Sequence, residues 1–147
     1  MATNNIILYN EQELENFAKN FLQYIQNNFS NESIKYIALN GDLGTGKTTL
    51  VRNILRQLNY NGKVKSPTYA FLETYEVDNS FINKVHHFDI YRFKYPQMWN
   101  EYGFDEYLEP DTLIFIEWPE LAIQYLPKPI INLTIRIGLD EERIINY

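Results

Sequence analysis

Gly41-Asp42-Leu43-Gly44-Thr45-Gly46-Lys47-Thr48-Thr49 is the stretch whose reading decides the fold. It satisfies G-x-x-x-x-G-K-[ST], a pattern in which glycines let the backbone curl with its N–H groups pointing inward. Such a nest, continued by the N-terminus of a helix, cradles anionic phosphates. The flanks supply the required setting. Ile34 to Leu39 before the loop is a short apolar run of strand character, and Leu50, Val51, Ile54, Leu55 and Leu58 after it recur at the spacing of one helical face. A ligand-free Gly-rich turn is the competing explanation, and this strand-loop-helix context weighs against it. Leu43, Gly44, Thr45, Gly46, Lys47, Thr48 and Thr49 are therefore the expected triphosphate cradle. Lys47 would reach the β- and γ-phosphates, and the Thr48 hydroxyl would sit on a magnesium ion bridging them.

Working outward, Ile6 to Tyr9 reads as a first strand. Asn10, with Glu13 three residues on, has the form of a helix N-cap with an acid reaching back, which predicts a helix from about Glu11. Leu14, Phe17, Ala18, Phe21, Leu22 and Ile25 give that helix its apolar stripe, and Asn27 to Asn31 punctuates its end. Downstream, Ser66-Pro67-Thr68-Tyr69 is expected to open a strand running to Val77, with a hairpin turn at Asp78-Asn79-Ser80. A partner strand over about Lys84 to Tyr91 sends His86 and His87 to opposite faces, so the two cannot serve one metal. Pro96 marks a helix start interrupted at Gly103. Thr112 to Glu117, four continuous apolar residues ending in an acid, has the pattern of a parallel strand buried on both faces. Pro119 starts a short helix, Pro127 and Pro129 form a stiff connector, and Ile131 to Ile137 and Arg143 to Tyr147 are two final strands about a turn at Gly138 to Glu142. The expected architecture is a three-layer α/β domain with a mixed, mainly parallel sheet and the loop and Glu117 at one edge.

With 147 residues, 45% of them hydrophobic, the chain can bury a core, and no repeat or linker divides it, so one domain over 1–147 is expected. There are no cysteines, hence no disulfides and no thiolate metal ligands. Met1 to Asn5 is polar, Ile6 to Tyr9 is too short for a signal-peptide core, and nothing approaches the roughly 20 apolar residues of a membrane span. A cytoplasmic protein without a membrane partner is the expectation. The net charge of −6 disfavours unaided binding to a nucleic-acid backbone, so any link to RNA should run through a partner. Lys63 and Lys65, with Arg52 and Arg56, read better as a solvated face than as a basic patch.

Two acids are candidates for the chemistry. Glu117 ends a buried strand, where ligands collect in open α/β sheets, either as a magnesium ligand or as an organiser of attacking water. Asp89 ends another strand and competes for the same roles, against a structural ion pair with Arg92 or Lys84. Thr68, after Pro67, is placed where a hydroxyl could report on a γ-phosphate, though a plain turn threonine fits its local sequence better. Trp118 is a candidate for stacking or for a half-buried anchor. Guanine recognition by N-K-x-D is not met, because Asn83-Lys84-Val85-His86 lacks the Asp. Arg52, Arg56, Arg92, Arg136 and Arg143 are scattered rather than gathered in the mobile lid of a small-molecule kinase. Hydrolysis of ATP is thus favoured over phosphoryl transfer, with a kinase and a nucleotide-gated binding module as the alternatives.

Taken together, the phosphate loop, Val64-Lys65-Ser66-Pro67-Thr68-Tyr69, His87-Phe88-Asp89-Ile90-Tyr91-Arg92 and Ile116-Glu117-Trp118-Pro119 closely resemble, in order and spacing, the TsaE (YjeE) family of bacterial ATPases. That family acts in making threonylcarbamoyladenosine in tRNA. The resemblance spans about Leu39 to Pro119. It implies a cytoplasmic ATPase, slow on its own, that works with the TsaD threonylcarbamoyl transferase and its TsaB companion and meets tRNA only indirectly. It implies ATP and Mg2+ as cofactors, with Lys47 as the phosphate-binding lysine, Thr48 and Glu117 as magnesium ligands, and Asp89 and Thr68 as the acid and threonine of their blocks. Glu11 and Arg143 fall where the family makes outlying ATP contacts, although Glu142 stands where relatives tend to have Gly.

Overall fold

The computed structural model describes residues 5–28 and 35–147. Ile34, residues 29–31 of the punctuating segment, and residues 1–4 of the polar start lie outside the described residues. The chain runs β1 (Ile6–Leu8), α1 (Glu11–Asn28), β2 (Lys35–Asn40), α2 (Lys47–Gln57), β3 (Leu72–Glu76), β4 (Lys84–Asp89), α3 (Met98–Glu101), β5 (Thr112–Glu117), β6 (Ile130–Ile137) and β7 (Arg143–Asn146). Single turns of 3-10 helix occupy Phe104–Tyr107, Pro119–Leu121 and Ile123–Tyr125. Among the described residues, no helix is long and apolar enough to cross a membrane.

All seven strands form one sheet in the order β1-β7-β6-β2-β5-β4-β3. It is mixed, as expected: β6, β2, β5 and β4 are mutually parallel, while the pairs β1–β7, β6–β7 and β3–β4 are antiparallel. The interior strand β5 is buried at every position, because helices or turns cover both of its faces. On one face Phe17, Phe21 and Ile25 of α1 and Leu50, Ile54 and Leu55 of α2 pack against Ile37, Leu39, Val85, Leu113 and Phe115. On the other, Trp99 and Phe104 from the short helical pieces and Ala122 and Leu126 flanking them pack against Tyr36, Phe88, Ile114 and Ile116. Three layers result. The second is unusually aromatic: the Trp99 and Phe104 rings both lie 5.1 Å from Phe88.

The first helix begins where its cap predicts. Asn10 Oδ1 accepts the Glu13 N–H at 2.9 Å, and Glu13 Oε2 accepts the Tyr9 N–H at 2.6 Å. The segment after Ser66 differs from expectation. It folds as a turn in which the Phe71 N–H bonds the Pro67 carbonyl at 2.6 Å, with Phe71 at φ 66°, and the strand starts only at Leu72. The partner strand also stops early, at Asp89, because Asp89 Oδ1 takes the Tyr91 N–H at 3.0 Å and turns the chain away from the ladder. Both departures move polar groups onto loops at the same end of the sheet.

Candidate functional site

The carboxyl end of the central strands is where the motif residues meet. Leu39 pairs with Glu117, and Glu117 pairs with Asp89, so the chain leaving β2 enters its loop beside two acids. Gly41, at φ 152°, passes so close to β6 that a Cβ would stand 2.5 Å from the Ile135 carbonyl oxygen. No side chain fits there. The Thr45 hydroxyl donates to the Asp42 carbonyl at 3.1 Å, which tightens the loop. Gly46, at φ 107°, is the N-cap of α2 and offers no side-chain cap. The first N–H groups of that helix are therefore left for an outside acceptor, at the positive end of the helix dipole.

Lys47 is buried and its ammonium donates to the carbonyls of Gly41 and of Asp42, the latter at 3.0 Å. It also lies 4.5 Å from the centre of the Trp118 ring. Burial holds its pKa below the ordinary lysine value, against the opposing pull of Glu117, Asp89, Asp42 and Glu120. An anion placed beside it would reverse the burial effect by favouring the charged form.

The two acids are held differently. Asp89 has both oxygens occupied, Oδ1 by the Tyr91 N–H and Oδ2 by the Thr68 hydroxyl at 2.8 Å; Ser66 bonds Thr68 in turn at 2.9 Å. The ion pairs with Arg92 or Lys84 weighed from sequence are not formed: Lys84 bridges Glu109, and Arg92 lies over the Tyr69 ring. Glu117 meets His87 instead, Nε2 to Oε2 at 2.8 Å, with both side chains buried. This histidine is the site residue that sequence reasoning passed over, although the period of two already placed it on the face of Asp89. His86 faces the other layer, where Thr74 holds its Nδ1 at 2.9 Å and burial lowers its pKa against the pull of Glu109.

Leu43, Gly44, Thr45, Gly46, Lys47, Thr48 and Thr49, together with Ser66, Thr68, Asp89, Glu117 and Trp118, line one cleft of about 290 Å³. The expected lysine, hydroxyls and both acids thus share a single wall-to-wall site. Among the described residues no three His, Asp or Glu side chains converge as a self-sufficient metal site. The donors that do face the cleft are oxygens, the set a hard cation such as magnesium takes when it keeps waters and phosphate oxygens as its other ligands.

A second cavity of about 310 Å³ adjoins the first, since Thr45, Gly46 and Thr49 line both. Its apolar walls are Leu8, Leu14, Ile135 and Ile145, and Glu11 and Arg143 stand at its polar side. The antiparallel pairing of Leu8 with Arg143 brings these distant residues together. Arg143 ties the cavity to the loop: its Nε donates to the Thr45 carbonyl at 2.8 Å and its Nη1 to the Glu141 carbonyl at 2.7 Å. Arg143, preceded by Glu142, thus lies against the loop at Thr45.

Comparison with known proteins gives a consistent result. The family described as "Threonylcarbamoyl adenosine biosynthesis protein TsaE" matches residues 8–145. The chain is 35% identical to the tRNA threonylcarbamoyladenosine biosynthesis protein TsaE of Rickettsia bellii, over 99% of this chain and 95% of that one. It is 31% identical to the protein of the same name from Bacillus subtilis, over 76% of this chain and 67% of that one. Among solved structures, the crystal structure of Bacillus subtilis YdiB superposes with a TM-score of 0.70 over 99% of this chain and 86% of that one, at 24% identity, a likeness of fold.

Proposed function

The chain belongs to the TsaE family, and from that premise we propose that it binds and hydrolyses ATP with magnesium in support of threonylcarbamoyladenosine modification of tRNA, acting on a TsaD–TsaB complex. The observation that carries this reading is the uncapped N-terminus of α2 in one cleft with Lys47 and two strand-end carboxylates. That is a site for a polyanion and a hard cation. The adjoining cavity, with apolar walls and Glu11 and Arg143 at its side, is the proposed seat of the nucleoside.

Each residue then has a task. The amides from Leu43 to Thr49 receive phosphate oxygens, and Lys47 exchanges its loop carbonyls for the β- and γ-phosphates. Thr48 and Glu117 would hold magnesium, whose charge offsets that of the phosphates when it is bound. Asp89, steadied by Thr68 and the Tyr91 amide, is left to order the attacking water. Thr68 bonds that acid and lines the cleft beside it, which favours a switch role over the plain turn residue of the local reading.

Phosphate release measured with and without purified TsaD, TsaB and tRNA tests the proposal. The expected outcome is slow release alone and faster release with the complex. Transfer of labelled γ-phosphate to a metabolite in place of release would convert the reading to a small-molecule kinase. ATP-dependent association with the complex without any turnover would convert it to a nucleotide-gated binding module.

A further inference from the structure

Resting on the magnesium-nucleotide reading above, we infer that His87 is a positioning residue for Glu117, holding one carboxylate oxygen so that the other is presented to the cation. The geometry begins with the sheet. His87 and Asp89 on β4 and Phe115 and Glu117 on β5 share the face toward α1 and α2, with His87 directly opposite Phe115. Glu117 is one pleat further along, so its side chain reaches back diagonally to His87, as side chains two positions offset across a ladder can.

The contact fixes the chemistry of the ring. Glu117 Oε2 lies 2.8 Å from His87 Nε2, and a carboxylate oxygen can only accept, so Nε2 carries the hydrogen and donates. His87 Nδ1 is buried without a protein partner. The ring thus aims its Nε2–H donor at one carboxylate oxygen. Glu117 Oε2 is committed, while Oε1 takes no protein hydrogen bond among the described residues and Glu117 lines the cleft with Thr48. Asp89, by contrast, has both oxygens occupied, and neither donor is a buried ring. Of the two acids, Glu117 alone has one oxygen clamped and one free, which is the arrangement a monodentate cation ligand needs.

A merely structural histidine, present to satisfy a buried acid, predicts loss of stability and nothing specific to the cation. The test separates the two through binding rather than turnover, using Mn2+ as a spectroscopic probe with ADP on the full chain. His87→Gln can place an amide nitrogen where Nε2 stood, whereas His87→Asn is too short to reach Glu117. His87→Asn should weaken Mn2+ in the ADP complex by about 10-fold, His87→Gln should stay within about threefold of wild type, and ADP affinity in EDTA should be unchanged in both. In a Glu117→Gln background His87→Asn should add nothing to the loss. Wild-type Mn2+ affinity in His87→Asn, equal losses in both variants, or a parallel fall in ADP affinity without metal would overturn the inference. Nitrogen NMR of the wild-type ring gives a readout independent of variant folding. The Nε2–H tautomer should be present, with a shift that moves on adding Mg2+ with ADP and not with ADP alone; an Nδ1–H tautomer or an unmoved signal also overturns it. A wild-type chain that binds neither ADP nor Mn2+ would instead remove the proposed function itself, and this inference with it.

Discussion

The two halves of the candidate site are built on opposite plans. The proposed phosphate side is made from short, contiguous pieces: the loop from Gly41 to Thr49 and two strand ends, Asp89 and Glu117, that the parallel register sets side by side. The proposed nucleoside side is made from distant pieces, with Glu11 at the start of α1 and Arg143 at the start of β7, joined because β1 pairs with β7. One half is specified by main-chain geometry, which few sequences can supply. The other is specified by tertiary pairing, which many sequences can. The phosphate side should therefore respond to substitution in steps of orders of magnitude and the nucleoside side in steps of a few-fold, and inorganic tripolyphosphate should distinguish them, since it can occupy only the first.

The largest test is Lys47→Ala. It removes the buried ammonium that the proposal assigns to the phosphates, and by the scale of losing a preorganised charge-stabilising group it should lower phosphate release by about 100-fold or more. Tripolyphosphate and ATP should both bind more weakly. Near-normal turnover with purified TsaD and TsaB would refute the assignment. Next in size, Glu117→Ala should weaken the dependence on magnesium by about 10- to 100-fold while ATP affinity in EDTA stays close to wild type. An unchanged metal titration would remove Glu117 from the cation.

How much of this was legible in the sequence follows the same division. The G-x-x-x-x-G-K-[ST] run specified a strand, a nest and a helix because glycines at φ 152° and 107° have few substitutes. The apolar block from Leu113 to Ile116 had the pattern of a strand covered on both faces, and it is one. Asn10 and Glu13 located the start of α1 because a cap is a local bond. What local sequence could not supply was anything decided by a partner strand. Ser66 to Tyr69 has strand-like content, yet a Pro67–Phe71 turn and the Thr68–Asp89 bond pull it into a loop. The His87–Glu117 pair spans 30 positions, so alternation could place His87 on the correct face but could not name its partner.

Arg143→Ala probes the seam between the two halves. The guanidinium donates to the Thr45 carbonyl on the loop and also stands at the side of the second cavity. A hydrogen bond from a charged donor contributes about 1.5–3 kcal/mol, part of which solvent recovers at a half-buried position. ATP affinity should fall by about 10-fold and tripolyphosphate affinity by less, because the loop keeps its own Thr45–Asp42 bond. Equal losses for the two ligands would mean that Arg143 serves the loop alone, and the second cavity would lose its claim to the nucleoside.

The smallest effect belongs to Asn10→Ala, and it is the sharpest check on whether the halves are separable. Asn10 caps α1 and lines the second cavity, whereas the phosphate cleft has no contribution from it. Losing an N-cap of this kind costs about 1 kcal/mol, which for a chain of this size lowers the melting temperature by about 3 °C. The first turn of α1, with Glu11 in it, should fray, because the Glu13 amide loses its acceptor and the returning bond from Glu13 to Tyr9 loses its anchor. ATP affinity should then drop by no more than about twofold, and tripolyphosphate affinity should not change, since α2 is capped by no residue of this segment. If tripolyphosphate binding weakened in step with ATP, fraying of the first turn of α1 would be reaching the loop across the wall that the two cavities share, and the site would have to be treated as one cooperative unit rather than two.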